Sequence, residues 1–315
     1  MSQQRFELAQ LPPQNGEERE GLIAGNSIHG TVTIEGATTS YTLEVPETLK
    51  RDEIIVWING FSELKKSMRS IARETTGLGA ASLRLSPVRQ SGSRAIEHLF
   101  DSTRVHALTI DAALQDIAAN PELSNTQNGN RLSTTSMNLG AHSYGAHVAT
   151  RYALQHPGEI DNIVYMNPVG FEDPQPLRFL GRLPVFFRQE VAPHLVEAAR
   201  NTTARQIGRT IHHLFSAPHQ TAGELLACVT GDNRRYIMPM SHERHIGMAL
   251  LTGSHDSLTP DGPMSEVAAM VDYYEMLDVG HLGPQHQPRL EAEGVQRALR
   301  ALDEREARPA LRLIG

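Results

Sequence analysis

Short apolar runs that do not alternate with polar residues are the feature that most limits how this chain can fold. Residues 54–58 read IIVWI, which is typical of a strand covered on both faces by helices. Further strands are predicted at Ala80–Leu85, Thr135–Leu139, Ile163–Met166, Met248–Leu251 and Met270–Leu277. Most of these strands are separated by segments that can hold a helix, as the three- and four-residue spacing of apolar residues from Val105 to Ile117 indicates. Such alternation predicts an α/β fold with a mostly parallel central sheet.

Two segments depart from this alternation. His29–Glu35 and Thr39–Val45 alternate with period two around Gly36, which predicts an antiparallel hairpin. Residues 172–245 lack a strand signal and read as short helices around Val191–Arg200, Ala204–Phe215 and Ala222–Val229, broken by Pro184, Pro193 and Pro218. We expect a core domain in two parts, 1–171 and 246–315, with a helical insertion at 172–245. The polar, Asn-rich residues 120–133 are predicted to be a surface loop.

Composition excludes several classes of protein. The 315 residues carry 29 basic and 36 acidic side chains, a net charge of −7, without the basic patch that nucleic-acid binding needs. The single cysteine, Cys228, lies in an apolar run and cannot form an internal disulfide or a cysteine metal cage, so a buried structural thiol is expected. No run of about 18 apolar residues predicts a membrane span, and the first residues lack a signal-peptide pattern. A cytoplasmic protein is expected.

The sharpest local pattern surrounds Ser143, in the residues LGAHSYGAH at 139–147. A predicted strand ends there and a predicted helix, Ala146–His156, begins. A serine on such a tight turn needs small residues two positions before and after it, and Ala141 and Gly145 supply them. The pattern is weak by itself, because small residues flank many serines by chance.

A serine nucleophile needs a histidine base, and that histidine needs an acidic partner. Asp256 follows the strand predicted at 248–251, and His281 follows the strand predicted at 270–277. The chain order Ser143, Asp256, His281, with each residue after the end of a predicted strand, predicts a Ser–His–Asp catalytic triad.

Other residues compete for these roles. Asp261 follows Pro260 and is expected to begin a helix, while Asp278 lies three residues before His281. Among the fifteen histidines, His142 and His147 lie beside the serine, and His255 lies beside Asp256. The side chain of His142 is expected to point away from the serine hydroxyl. Asp256 is preferred because Asp278 shares a strand end with His281, whereas Asp256 lies in the loop after a different strand.

The oxyanion of an acyl-transfer intermediate requires two backbone N–H donors, one from the residue after the nucleophile and one from a loop after an early strand. Tyr144 is the first candidate. Phe61 is the second, because it follows the IIVWI strand and Gly60 allows a turn there.

With these features the chain resembles the α/β-hydrolase superfamily over residues 29 to about 300, through AHSYG around Ser143, GSHDSLTP around Asp256, DVGHLGP around His281 and NGFSE around Phe61. The resemblance implies an α/β-hydrolase fold whose helical cap, residues 172–245, is inserted after the sixth strand. Two positions differ from the commoner family pattern: Ala141 stands where glycine is usual, and Asn59 where many members carry histidine.

The resemblance implies a serine hydrolase of the esterase or lipase type that acts on a small acyl substrate without a cofactor. Carbon–carbon bond hydrolases, thioesterases, peptidases and acyltransferases use the same triad, so the fold does not choose among them. A ligand-binding protein that keeps the fold without turnover is an alternative of another class. The phenylalanines of the insertion, including Phe186 and Phe187, are candidates for an apolar substrate pocket and equally for packing residues. No metal motif such as HExxH and no nucleotide-binding glycine motif is present.

Overall fold

The computed structural model of this chain describes residues 25–50, 53–61, 68–86, 88–90, 95–119, 133–171, 176–193, 218–243, 245–259 and 261–306. In these residues nine strands form one sheet: β1 Gly25–Ile34, β2 Ala37–Pro46, β3 Glu53–Ile58, β4 Ala81–Leu85, β5 Arg89–Gln90, β6 Ser133–His142, β7 Ile160–Met166, β8 Gly247–Gly253 and β9 Tyr273–Leu277. The helices are α1 Arg69–Gly77, α2 Ala95–Ala119, α3 Gly145–Gln155, α4 Pro176–Phe186, α5 Pro218–Thr230, α6 Arg234–Met238, α7 Asp261–Ala268, α8 Gly283–His286 and α9 Pro288–Glu306, with π-helical turns at Phe187–Val191 and Pro239–Glu243.

The strands follow the order β1-β2-β4-β3-β6-β7-β8-β9, and β5 pairs with β2. From β4 to β9 every neighbouring pair is parallel. The predicted hairpin is confirmed, because β1 and β2 pair antiparallel along their whole length around the turn at Glu35 and Gly36, and β2 also pairs antiparallel with β4. The sheet is therefore mostly parallel, as the sequence pattern predicts. In such a sheet the carboxyl ends of β6, β7, β8 and β9 lie along one edge.

Both faces of the sheet are covered, which explains the continuous apolar runs. Ile54 and Val56 pack with helices α2 and α3 on one face, and Ile55 and Trp57 pack with helices α1 and α9 on the other. Trp57 is fully buried against Gly140 of the neighbouring strand β6, where an added Cβ would lie 2.6 Å from the indole ring. Strand β3 consequently packs a large side chain against the strand that leads to Ser143.

Two details of the predicted strands are wrong. The strand expected from Met270 begins only at Tyr273, because residues 270–272 form a turn at the sheet edge. The two-residue strand β5 carries no readable alternation and is missed, so seven strands rather than six precede the insertion. The Asn-rich loop expected at 120–133 lies outside the described residues except for Ser133, which begins β6.

Residues 172–245, which are expected to be an insertion, lie between strands β7 and β8. Helix α5 confirms the helix expected around 222–229 and begins at Pro218, the first helical position where proline is well tolerated. The expected break at Pro184 is wrong, because this residue lies inside α4, two residues before the π-helical turn. Pro184 has no N–H to donate, so α4 lacks one backbone hydrogen bond at this position. The helices expected at 191–200 and 204–215 fall largely outside the described residues.

None of the helices in the described ranges is long and apolar enough to cross a lipid bilayer. The thiol of Cys228 is buried in α5, as expected, and burial raises its pKa well above the ordinary value. A thiol in that state is a poor nucleophile, which argues against a catalytic role for Cys228.

Candidate active site

Ser143 lies on the turn between β6 and α3 with a backbone φ of +53°, in the left-handed region that a residue with a side chain rarely adopts. Its N–H donates to Met166 O at 3.1 Å, and its carbonyl accepts from the N–H groups of Ala146 and Val169. Surrounding backbone hydrogen bonds thus hold the strained turn in place.

Gly145 explains the need for a small residue after the serine. A Cβ at Gly145 would lie 2.5 Å from the carbonyl oxygen of Ile58 and 2.9 Å from that of Asn59. The start of helix α3 therefore packs directly on the carboxyl end of β3. Any side chain at this position would push the turn away from the loop that contains Gly60 and Phe61.

The three residues predicted as a triad lie together at the carboxyl edge of the sheet. His281 Nε2 is 2.9 Å from Ser143 Oγ, and His281 Nδ1 is 2.8 Å from Asp256 Oδ2. All three residues are buried. They come from the ends of β6, β8 and β9, which is the arrangement that their chain order predicts.

Asp256 is placed to remain ionised. Its Oδ1 accepts the N–H groups of Leu258 and Thr259, both at 2.8 Å, and its Oδ2 accepts the Thr259 hydroxyl as well as His281 Nδ1–H. Burial alone would raise the pKa of Asp256, but the charge of His281 and these hydrogen bonds outweigh burial and lower the pKa below its ordinary value. With Nδ1–H donating to this carboxylate, the lone pair of His281 Nε2 faces the serine hydroxyl.

The competing acid Asp278 lies outside the site. Asp278 is exposed, and its carboxylate pairs with the exposed His255 at 2.8 Å. Asp261 begins helix α7, as expected from the preceding proline.

The competing histidines have other partners. His147 is buried and its Nδ1 lies 3.1 Å from Asn233 Oδ1 of the insertion; burial lowers the pKa of His147 to about 4, so its ring is neutral. His142 donates from Nε2 to the backbone carbonyl of His281 at 2.7 Å, and the two rings lie 5.2 Å apart between centroids. His142 therefore supports the backbone of His281, and it is His281 whose ring contacts the Ser143 hydroxyl.

Sequence reasoning missed Asn167, which follows strand β7 with a φ of +45°. Its Oδ1 accepts the N–H of Gly253 at 2.6 Å, and its Nδ2 donates to the carbonyl oxygens of Gly280 at 3.1 Å and His281 at 3.4 Å. One amide thereby ties the loop before Asp256 to the loop of His281. An asparagine directly after a buried strand, where left-handed backbone suits it, is the signal that could have found this residue.

The two predicted amide donors lie on either side of the close contact at Gly145. Tyr144 follows the serine at the start of α3, with its ring fully buried and its hydroxyl donating to Ser102 Oγ at 2.9 Å. Phe61 lies three residues beyond the end of β3 and is half-buried against the core. The packing of these two side chains fixes the backbone of their loops near the serine.

The two predicted pocket residues differ in position. The Phe186 ring packs edge-on against the His281 ring, with 5.5 Å between centroids. Phe187 is 46% exposed. The structure thus brings Phe186, and not Phe187, into contact with the triad. Across the described ranges, no group of three or more His, Cys, Asp or Glu side chains is placed to hold a metal ion.

Comparison with known proteins gives the fold. A hydrolase from Pseudomonas aeruginosa PA01 matches with a TM-score of 0.63 at 15% identity, over 86% of this chain and 98% of that chain. A thermophilic esterase from Thermogutta terrifontis matches with a TM-score of 0.59 at 16% identity, over 88% of this chain and 99% of that chain.

Sequence comparison gives weaker support for this fold than the structural matches do. The abhydrolase domain-containing protein abhd-5.2 of Caenorhabditis elegans is 29% identical over 93 residues, which are 26% of this chain and 21% of that protein. No family model matches the chain. The sheet order, the strained serine turn and the structural likenesses nevertheless agree, and together they show that this chain has the α/β-hydrolase fold.

Proposed function

We propose that this protein is a serine hydrolase that cleaves a carboxylic ester or a related acyl substrate through an acyl-enzyme on Ser143. The observation that carries the proposal is the continuous hydrogen-bonded series from Asp256 through His281 to Ser143, at 2.8 and 2.9 Å. A serine hydroxyl is a weak nucleophile near neutral pH, and this arrangement supplies the base that it lacks.

The geometry supports a reaction in two stages, acylation of Ser143 and hydrolysis of the acyl-enzyme. Ser143 Oγ attacks the acyl carbon as its proton passes to His281 Nε2, and Asp256 stabilises the imidazolium that results. Collapse of the tetrahedral intermediate breaks the bond to the leaving alcohol, which takes the proton from His281. Water then attacks the acyl-enzyme, gives its proton to the same nitrogen, and the carboxylic acid leaves as that proton returns to Ser143.

The backbone N–H groups of Tyr144 and Phe61 are proposed to hold the oxyanion of the intermediate. The contact of Gly145 with the carbonyls of Ile58 and Asn59 supports this role, because it brings the two loops that carry these amides together. Donors fixed before the reaction stabilise developing charge without reorganising, and removing one such donor costs on the order of 100- to 1,000-fold in kcat.

Residues 172–245 are proposed to form the cap over the core parts 1–171 and 246–315. The contact of Phe186 with His281 and the burial of Cys228 and Glu224 of α5 support a segment that packs over the carboxyl edge of the sheet. Phe186 and Phe187 are proposed to line the acyl pocket of a small-molecule substrate, without a metal or an organic cofactor.

Labelling with a fluorophosphonate probe, which phosphonylates an activated serine, tests the proposal. We expect the parent protein to react, Ser143→Ala to lose labelling, and Ser254→Ala, an exposed serine near the same edge, to react like the parent. A parallel screen of p-nitrophenyl esters of increasing acyl length measures turnover. A parent protein that neither reacts with the probe nor hydrolyses any ester would favour a ligand-binding protein without turnover and would refute the proposal.

A further inference from the structure

Glu190, on the π-helical turn that follows α4, contacts two loops of the core. Its Oε1 accepts the N–H of Ser257 at 3.0 Å and the hydroxyl of Ser257 at 2.6 Å. Its Oε2 accepts the N–H of Leu282 at 3.3 Å. One carboxylate of the insertion therefore bridges two backbone positions that are far apart in sequence.

These positions are the immediate neighbours of two triad residues. Ser257 follows Asp256, and Leu282 follows His281. Strands β8 and β9 pair as far as Gly253 and Leu277. Backbone hydrogen bonds from Ser254 N–H to Leu277 O at 2.8 Å and from His255 N–H to Val279 O at 3.0 Å continue this pairing to the residue before Asp256. Beyond that point the distance between acid and base depends on hydrogen bonds between the loops, and Glu190 supplies three of them.

Close packing around the Glu190 carboxylate shows that the surrounding residues accommodate it in this position. A Cβ on Gly280 would lie 2.5 Å from Glu190 Oε2, so only glycine at that position leaves room for the carboxylate. Two further contacts come from the same segment: Arg182 Nη1 donates to Leu258 O at 3.2 Å, and Phe186 packs on the His281 ring. Asn167 and His142 hold the His281 backbone from the core, so the loop is held from two independent parts of the chain.

We propose that Glu190 is a positioning residue for the triad. From its place on the insertion it fixes the distance between Asp256 and His281, so proton transfer depends on the position of this segment relative to the two loops. The proposal rests on the proposed hydrolase function. Displacing a catalytic group by about 1 Å can cost on the order of 100-fold in rate, so the loss of three hydrogen bonds beside the acid and the base is expected to act mainly on kcat.

The test compares three variants with the parent in ester hydrolysis and in fluorophosphonate labelling. Glu190→Ala should lower kcat and the labelling rate by on the order of 10- to 100-fold while KM changes much less. Glu190→Gln should lose less, because its amide oxygen still accepts from Ser257 although its amide nitrogen cannot accept from Leu282. Glu293→Gln is the matched control, since it alters a glutamate in a surface ion pair with Arg289.

Hydrogen exchange of the Ser257 and Leu282 amides measures the bridge independently of catalysis, and both should exchange faster in Glu190→Ala. Unchanged exchange, or a labelling rate equal to that of the parent, would overturn the positioning role. An equal fall in Glu293→Gln would also overturn it, because the effect would then be one of general stability. A parent protein that does not react with the probe would instead refute the proposed function, which keeps the two failures distinct.

Discussion

Asp256→Asn is the substitution that most directly tests the geometry of the site, because it keeps the size of the side chain while it changes the hydrogen bonding and removes the charge. Asp256 accepts four hydrogen bonds, three from Leu258 and Thr259 and one from His281. An asparagine whose oxygen keeps the two backbone N–H donors must turn its NH₂ group toward His281. The imidazole then has to accept at Nδ1, which places its proton on Nε2.

A histidine protonated at Nε2 cannot take the proton of Ser143, whose oxygen is 2.9 Å away. We therefore expect kcat to fall by roughly 10,000-fold, the size of loss that a wrong tautomer causes in such triads. At about 1.36 kcal/mol for each factor of ten, this corresponds to about 5.4 kcal/mol of lost transition-state stabilisation.

Hydrolysis of the preferred p-nitrophenyl ester, with active serine counted by fluorophosphonate titration of the parent, measures the loss. Asp278→Asn is the matched control, because the exposed Asp278 pairs with His255 rather than with the triad. Its kcat should stay within about twofold of the parent, as for other surface substitutions. The assignment of Asp256 fails if Asp256→Asn keeps more than about a tenth of the parent kcat, or if Asp278→Asn proves the more damaging change.

Two further predictions concern the surroundings of the triad. Burial raises the pKa of Glu291 to about 7, so in the folded state it keeps its proton while the unfolded chain ionises, and the free energy of unfolding should fall as pH rises toward 7 by up to about 1.4 kcal/mol per pH unit. Glu291→Gln should therefore gain stability over the parent from pH 5 to pH 7 in urea denaturation, and an advantage that stays constant with pH would contradict this. Phe186→Ala should change the discrimination between short and long acyl chains, measured as the ratio of their kcat/KM values, by roughly 1 to 3 kcal/mol, and Phe187→Ala should change it less. An unchanged preference in both variants would make these rings packing residues only.

The triad could be predicted from sequence because each member follows a readable strand. Continuous apolar runs mark the buried strands of a parallel sheet, and parallel strands deliver their carboxyl ends to one edge. The pattern therefore predicts that the residues after β6, β8 and β9 are neighbours. The structure places His281 within hydrogen-bond distance of both Ser143 and Asp256.

Asn167 and Glu190 could not be predicted in the same way. Apart from the Ser257 hydroxyl, their partners described above are backbone groups, and a backbone group has no residue type that a sequence pattern can reveal. The role of Glu190 further depends on the path of the insertion after Pro184, where the expected helix break is replaced by a continuous α4 and a π-helical turn. Such a path is set by tertiary contacts, which local propensity does not determine.

The left-handed backbone of Ser143 has a consequence for the balance between folding and chemistry. Holding a residue with a side chain at a φ of +53° costs on the order of 1 kcal/mol or more, and glycine would adopt the same angle without that cost. Ser143→Gly should accordingly melt at a higher temperature than Ser143→Ala, although both lack the hydroxyl. At position 143 the serine that is needed for reactivity therefore lowers the thermostability of the chain. Glycine at this position would give a more stable but inactive protein.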